Sequence, residues 1–414
     1  MRELIAGDGG SVLVARATSE TVVALTCEDL GETAMTPSGV PVYPTHALPD
    51  DLTVEVVRLV ECERSTADSV RAWAHRHNID VIEDRVAVRR APPGLRVVAI
   101  SAASTGSGKT AVTRRVARTL ARSGVDVAVL RHPMPSLLHW GRFDAGVVRT
   151  PPEVNVSRPI DEREELGPVV GTGVHVVTGL DPDRLVDVAA REAGPDGVIV
   201  WDGGGAAWPW LEPDVLVVAI DLLRPPGAEA AERIERASCV VLTKADTAPS
   251  ERARDVEAWV RGIDADVPVI LADLAVGVQP VNVLADKRVV IVEDARSLML
   301  GGLVAGAGAV AAKRFRCGVV DPRPFVVGAI ARALREHAHI GAVIPSLGRT
   351  PAEIDDLAAS VAATPGDVVL WASNADPAFV IPDETRAIVR AYGELTEVAG
   401  PPLQDVLAPL LPGH

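Results

Sequence analysis

Lysine is nearly missing from this 414-residue chain: of 41 Lys and Arg residues only Lys109, Lys244, Lys287 and Lys313 are lysines. Against that background a lysine inside a recognisable motif is rarely filler. Aromatic residues are scarce at 3%, so Val, Ala and Leu must build the interior, which favours buried parallel strands flanked by Ala-rich helices. The four cysteines, Cys27, Cys62, Cys239 and Cys317, stand far apart without C-x-x-C pairing. That excludes a disulfide framework and a cysteine zinc site and makes a reducing cytoplasm the expected compartment. Long apolar runs are also missing. The longest, Leu298 to Ala312, is glycine-rich, about fifteen residues long and too short to span a bilayer, and the N-terminus has no apolar core of a signal peptide. Nor is there an excess of positive charge. A net charge of −15 leaves nothing to neutralise phosphates along an extended path. Nucleic acid and membrane are therefore not expected partners, whereas a local basic site for a small phosphorylated ligand is compatible, and a homodimer is left open.

What is present is a globular composition, 48% hydrophobic and punctuated by 35 Gly and 32 Pro. The length suits two or three packed units. Residues 1–94 read as a small α/β unit, with a strand at 54–60, a helix at 65–77 and a strand from 80, closed by the Pro-Pro-Gly phrase at 92–94. Residues 95–287 alternate strand and helix. The strands fall at 96–101, 125–130, 174–178, 197–201, 215–220, 240–243 and 267–272, and the first helix at 110–123 ends before Gly124, a C-cap residue. Residues 288–414 repeat a βα pattern, with strands at 289–292, 318–320, 342–345 and 368–372 and helices at 326–337 and 352–363. This alternation predicts an α/β fold with a doubly wound parallel sheet.

The phrase Ala103-Ser-Thr-Gly-Ser-Gly-Lys-Thr110 has Walker A spacing, with Ala103 at the usual first glycine. Phosphate binding there needs a strand end, small residues that expose backbone N–H groups, and a helix N-terminus aimed at the phosphates. Thr105, Gly106, Ser107 and Gly108 would form the cradle, Lys109 would reach the β- and γ-phosphates, and the Thr110 hydroxyl would meet Mg²⁺. A plain glycine turn is the duller alternative. Asp202, at the end of Val198–Trp201 and before three glycines, is the candidate acidic partner of the metal, with a strand-ending turn as its bland counterpart and Asp221 as a second candidate. Thr243-Lys244-Ala245-Asp246 follows another strand and partly matches the guanine-reading Asn-Lys-x-Asp motif, so Lys244 and Asp246 are candidate base contacts. A surface loop is the alternative, and ATP and GTP both stay open.

Further phrases resemble one family. Gly39-Val-Pro-Val-Tyr-Pro44, Thr105–Thr110, Thr113-Arg-Arg-Val116, Arg131-His-Pro-Met-Pro135, Glu162-Arg-Glu-Glu165, Trp201-Asp-Gly-Gly204, Val292-Glu-Asp294, Gly301-Gly302, Gly306-Ala-Gly308, Asp321-Pro-Arg-Pro324 and His339-Ile-Gly341 occur in order across most of residues 36–372. Together they resemble the cyclic 2,3-diphosphoglycerate synthetase family and its predicted-GTPase relatives. The resemblance implies a P-loop synthetase that spends a nucleoside triphosphate to activate a small anionic substrate. Arg131, His132 and Arg323 would then bind the acceptor and serve the transfer alongside Lys109 and Asp202. Gly301, Gly302 and His339 would add substrate contacts, and Glu293 and Asp294 would hold a second Mg²⁺. Arginine suits such work through its fixed fork of donors. Each has a structural alternative: an Arg131-His132 pair at the sheet edge, a rigid turn with an internal Asp321–Arg323 pair, glycines that merely allow helix–sheet packing at 301–308, and His339 as a helix C-terminal cation.

Three departures stand out. Ser136-Leu-Leu138, Leu222-Leu223 and Met299-Leu300 replace polar clusters of the family pattern, while Lys109, Asp202 and Arg323 stay. The expected function is an ATP- or GTP-dependent ligase-like enzyme whose acceptor is less anionic than 2,3-diphosphoglycerate. A regulatory or chaperone-type GTPase and a nucleotide-sensing scaffold are the alternatives.

Overall fold

Six short strands make the first sheet of the computed structural model, in the spatial order Ala34–Met35, Pro41–Pro44, Thr21–Leu25, Glu3–Gly7, Val56–Val60 and Asp80–Asp84. The structure describes residues 3–7, 21–25, 34–36, 39–45, 48–60, 64–84, 87–102, 106–131, 145–155, 158–179, 181–203, 207–224, 226–299 and 301–411. Its first strands are β1 (Glu3–Gly7), β2 (Thr21–Leu25), β3 (Ala34–Met35), β4 (Pro41–Pro44) and β5 (Val56–Val60), followed by helix α1 (Arg64–Arg76) and β6 (Asp80–Asp84). Helix α1 lays Val70, Trp73 and Ala74 on Leu4, Val57 and Leu59 of this sheet, a small core of its own.

The rest of the chain shares one 13-stranded sheet. Its first half runs β7 (Arg96–Ala102), α2 (Lys109–Arg122), β8 (Val127–Arg131), β9 (Gly146–Val148), α3 (Pro151–Val154), α4 (Ile160–Val170), β10 (His175–Thr178), α5 (Pro182–Ala193), β11 (Val198–Asp202), β12 (Val215–Asp221), α6 (Ala228–Ile234), β13 (Cys239–Thr243), α7 (Ser250–Ile263) and β14 (Val269–Gln279). The second half runs β15 (Arg288–Glu293), α8 (Ala295–Met299), α9 (Ala307–Arg314), β16 (Gly318–Val319), α10 (Gly328–Glu336), β17 (Ile344–Pro345), α11 (Pro351–Ala363), β18 (Val368–Ala372), β19 (Ala387–Ala399) and α12 (Leu403–Val406). Strands β14, β13, β12, β7, β11, β8 and β10 are successive parallel neighbours. Their side chains alternate between two covered faces. Val97 and Ala99 of β7 join one core with α5 and α7, while Val98, Ile100 and Ala102 join the other with Val112, Val116 and Leu120 of α2. Burial on both faces explains why these strands read as unbroken apolar runs. The expected doubly wound parallel sheet is what the chain forms.

A ribbon of two long strands then decides where a site can lie. β14 pairs antiparallel with β19, from Leu271 opposite Ala399 to Gln279 opposite Arg390, with an irregularity at Leu271/Ala272. β13 joins only the beginning of β14, at 269–271. β18 joins only the beginning of β19, at 387–390, which is the far end of the same ribbon. The two parallel blocks thus run in opposite directions from opposite ends of the ribbon, and their C-terminal edges face each other across its middle. Ligands of open α/β sheets bind beyond the carboxyl ends of the strands; here two such edges meet. Among the described residues no helix is long and apolar enough to cross a membrane.

Candidate functional site

A cavity of about 320 Å³ lies between those two edges. One wall is Gly106, Gly108, Lys109, Thr110 and Arg131; the other is Glu293, Asp294, Arg296, Ser297 and the 303–310 loop and helix; Leu274, Val276, Tyr392 and Gly393 of the ribbon form the floor.

On the first wall, β7 ends at Ala102 and α2 starts at Lys109 with Gly108 as its N-cap. Gly106 and Gly108 have φ of +79° and +85°, the left-handed region where a side chain is strained, and a Cβ on Gly108 would stand 3.3 Å from the Thr243 methyl. Glycine at both places is therefore a backbone requirement. The Thr243 hydroxyl braces the loop, lying 3.0 Å from the Ser107 carbonyl oxygen to which it donates. The residue that replaces Asn in the partial base motif therefore supports the phosphate loop. Thr105 lies outside the described residues.

Lys109 is 9% exposed. Burial, helped by repulsion from Arg131 and Arg296, pulls its ammonium pKa down to about 8 against the attraction of Asp202 and Glu165. Behind it sits a buried ionic core. Register pairs Asp202 of β11 with Arg131 of β8, and the Arg131 guanidinium reaches Asp202 at 2.7 Å and Glu165 of α4 at 2.9 Å. Burial opposes the charge of Arg131, but the two carboxylates hold it more firmly protonated than usual. Burial raises the Asp202 carboxyl above its ordinary range despite Arg131. Burial also works against Glu165, yet Arg131, Arg296, the Thr110 hydroxyl and Lys109 together keep it low. Thr110 donates its hydroxyl proton to Glu165 at 3.0 Å.

On the second wall the expected roles change. The carboxylate of Glu293, the last residue of β15, accepts from the backbone N–H groups of Gly306 and Ala309. A Cβ on Gly306 would stand 2.7 Å from that carboxylate, so the glycine makes room for it. Glu293 caps α9, and its burial lifts its pKa to about 7. The amides expected to greet an anionic substrate are thus taken by the chain's own carboxylate, and Glu293 is committed to them rather than to a second metal. Asp294 accepts from Ser297 N–H at 3.0 Å while lining the cavity, and burial and then nearby Glu165 push its carboxyl upward. Among the described residues no group of three His, Cys, Asp or Glu side chains could hold a metal ion by itself.

The remaining candidates are placed as follows. Arg323 pairs with Asp321 at 3.0 Å and donates to the Ile340 and Gly341 carbonyls; it is the rigid-turn reading that this geometry matches. The His339 ring contacts the Leu298 carbonyl at 2.9 Å. Gly301 and Gly302 belong to the turn after α8. None of these four lines the cavity. Lys244 lines it, but with its ammonium 2.7 Å from Asp221, and Asp246 accepts from Leu274 N–H at 3.0 Å. His132 lies outside the described residues. Among the charged cavity residues, Glu165 and Arg114 entered the sequence reading only within quoted phrases and were given no role, and Arg296 was not singled out. Glu165 had a signal: a run of charges, Asp161 to Glu165, set between apolar strands. Arg296 had none.

Arginine synthetase ArcE of Thermococcus kodakarensis is 32% identical to this chain over 323 residues, 75% of this chain and 70% of that protein. The chain belongs to the ArcE family. No family model matches it. Among solved structures, it is similar to ATP-bound LpxK of Aquifex aeolicus, with a TM-score of 0.48 and 14% identity over 82% of this chain and 94% of that one. It is also similar to the hydrogenase maturation factor HypB of Archaeoglobus fulgidus, with a TM-score of 0.29 and 17% identity over 44% and 82%. The relative that shows the family is an arginine synthetase, where the motifs resemble a cyclic 2,3-diphosphoglycerate synthetase.

Proposed function

We propose that this protein is a nucleoside-triphosphate-dependent synthetase that activates a small amino-acid acceptor. The observation that carries the reading is the shared cavity: a phosphate loop on one C-terminal edge faces an acid-lined pocket on the other. Gly106 to Thr110 would cradle the triphosphate, with Lys109 against its terminal phosphates. Phosphoryl transfer asks mainly for positioning and charge neutralisation, which the loop amides and Lys109 supply.

The residues present fit a magnesium ion. Glu165 accepts a hydrogen bond from the Thr110 hydroxyl, which leaves the hydroxyl lone pairs for a cation, an orientation common around bound metals. Thr110 would hold the ion, with Glu165 orienting that hydroxyl and Asp202, locked to Arg131, acting from behind. When bound, Mg²⁺ would neutralise charge on the phosphates.

On the acceptor side the α9 amides are already capped, and Asp294 and Glu293 face the same space. That wall opposes a highly anionic acceptor and suits an amino acid with a cationic or neutral end, in line with the name of the relative. 2,3-Diphosphoglycerate is a poor fit to it. The base contacts leave ATP and GTP both open, and Lys244 and Asp246, bound to Asp221 and Leu274, give the guanine motif no added support.

The test runs the reaction backwards. Purified protein with Mg²⁺, phosphate and ADP or GDP is given L-arginine, and triphosphate formation is followed together with ammonia: a C–N bond of the guanidino group would break, releasing ammonia and leaving a ureido product, as phosphate and the nucleoside diphosphate join. Arginine-dependent ATP or GTP is the expected result. Lack of any affinity for a magnesium nucleotide would sink the reading, whereas slow GTP hydrolysis indifferent to every amino acid would point to a switch.

A further inference from the structure

Four successive charged residues of α4, Asp161, Glu162, Arg163 and Glu164, are buried. Charged side chains are rarely buried unless they are held, because desolvation costs several kcal/mol each. A helix that only filled space would have carried apolar residues there, so what these charges hold is informative. Glu162 faces Arg158 at 3.7 Å and Thr178 at 3.4 Å, and Arg163 donates to the Arg158 carbonyl, all within the nucleotide half. Glu164 turns the other way. One of its oxygens accepts the hydroxyls of Ser346 and of Ser373, each at 2.5 Å. Those serines follow β17 and β18 of the acceptor half. Each hydroxyl is in turn an acceptor, for Ala295 N–H at 3.2 Å and Ala375 N–H at 3.1 Å. Ser346 also donates its N–H to the Glu293 carbonyl at 2.8 Å. A single carboxylate oxygen therefore pins the ends of β15, β17 and β18, including the corner that carries Asp294 and Arg296. The next residue, Glu165, holds Thr110 and Arg131.

We propose that Glu164 is a positioning residue that ties the acceptor corner at Asp294–Ser297 to the phosphate loop through α4, so that nucleotide binding at Thr110 is felt in the acceptor half. This rests on the function proposed above. Adjacent glutamates on a helix point about 100° apart, which lets Glu165 read the phosphate loop while Glu164 grips the opposite half. Rigid elements linked by buried hydrogen-bonded groups are a means by which such coupling is carried.

Hydrogen exchange of the full chain, with and without magnesium ADP and GDP, tests it. Wild-type protein should gain about fivefold or more protection at the amides of 295–297 and 375 on nucleotide binding. Glu164→Ala should bind nucleotide with near wild-type affinity and lose that gain. Glu164→Gln should keep it, because its amide oxygen still accepts both hydroxyls. A merely structural role would lower protection equally with and without nucleotide, and that result overturns the proposal, as does a gain that survives in Glu164→Ala. If Glu164→Ala does not fold, Ser373→Ala removes one grip and should reduce the gain; an unchanged gain in that variant counts against the proposal. Wild-type protein that binds no nucleotide fails the functional reading itself, which the affinity measurement reports separately; binding without any response at 295–297 fails only the coupling.

Discussion

The two walls of the cavity are built alike and used in opposite ways. Each has a parallel strand, a glycine-containing loop and a helix whose first turn reaches the cavity. After β7 the strand ends in Ala102 and the loop delivers Lys109. After β15 the strand ends in Glu293, whose carboxylate occupies the first amides of α9. A helix N-terminus is a ready anion site only while no carboxylate of its own chain can reach it. One residue at a strand end therefore separates a phosphate cradle from a self-capped wall, and it makes the second wall fit for an acceptor that is not an anion.

The largest way to break this contrast is to remove the cation beneath the phosphate loop. Arg131→Ala would leave the fully buried Asp202 without its ion-pair partner, and uncompensated buried charge of this kind costs about 3–5 kcal/mol. Denaturant unfolding should show that loss; a change near zero would mean that the ionic core is not a unit. Lys109→Ala should act differently. Removing a preorganised donor to a reacting phosphate lowers turnover by about 10²–10³-fold, read as arginine-dependent triphosphate formation, with folding stability preserved. Turnover within a few-fold of wild type would separate the phosphate loop from the chemistry.

Glu293 sharpens the other side. Its folded-state pKa of about 7 stands above the ordinary 4.5, so the folded chain keeps a proton that the unfolded chain releases. Stability from this residue is highest below about 4.5 and declines as pH rises toward 7. Glu293→Gln should flatten that decline. Unfolding free energies measured from pH 5 to pH 8 that run parallel in the two proteins would show that Glu293 is not the titrating group.

How much of this was legible in sequence depended on how local each determinant is. The strands and helices around 96–131, 198–243 and 351–372 were readable because a buried parallel strand needs an apolar run and an amphipathic helix needs its period. The phosphate loop was readable because its function sits in successive residues. Strand β19 was not: its alternating, half-exposed residues 387–399 hold charges at Arg390, Glu394 and Glu397, and its meaning comes from pairing with β14, more than a hundred residues away. The same holds for the site. Lys109 and Thr110 announce themselves, whereas Glu165 and Arg296 gain a role only when α4 and α8 are brought to one cavity. Arg323 is the reverse case, since its motif is distinctive but its guanidinium is satisfied by Asp321 and two nearby carbonyls.

The smallest expected effect concerns Lys109 itself, through pH. Burial holds its pKa near 8 in the nucleotide-free protein, below the ordinary 10.5. Above about pH 8 the folded chain releases this proton while the unfolded chain keeps it, so its contribution to stability rises with pH up to about 10.5. Nucleotide affinity must move the other way, because the phosphates need the ammonium. Binding should be flat from pH 6.5 to 7.5 and then weaken by at most about tenfold per unit above pH 8, the limit for one linked proton. Lys109→Arg, whose guanidinium stays charged throughout this range, should weaken binding at neutral pH by changing the geometry yet remove the slope. A slope that persists in Lys109→Arg would assign the proton to another group and separate the buried ammonium from the phosphates.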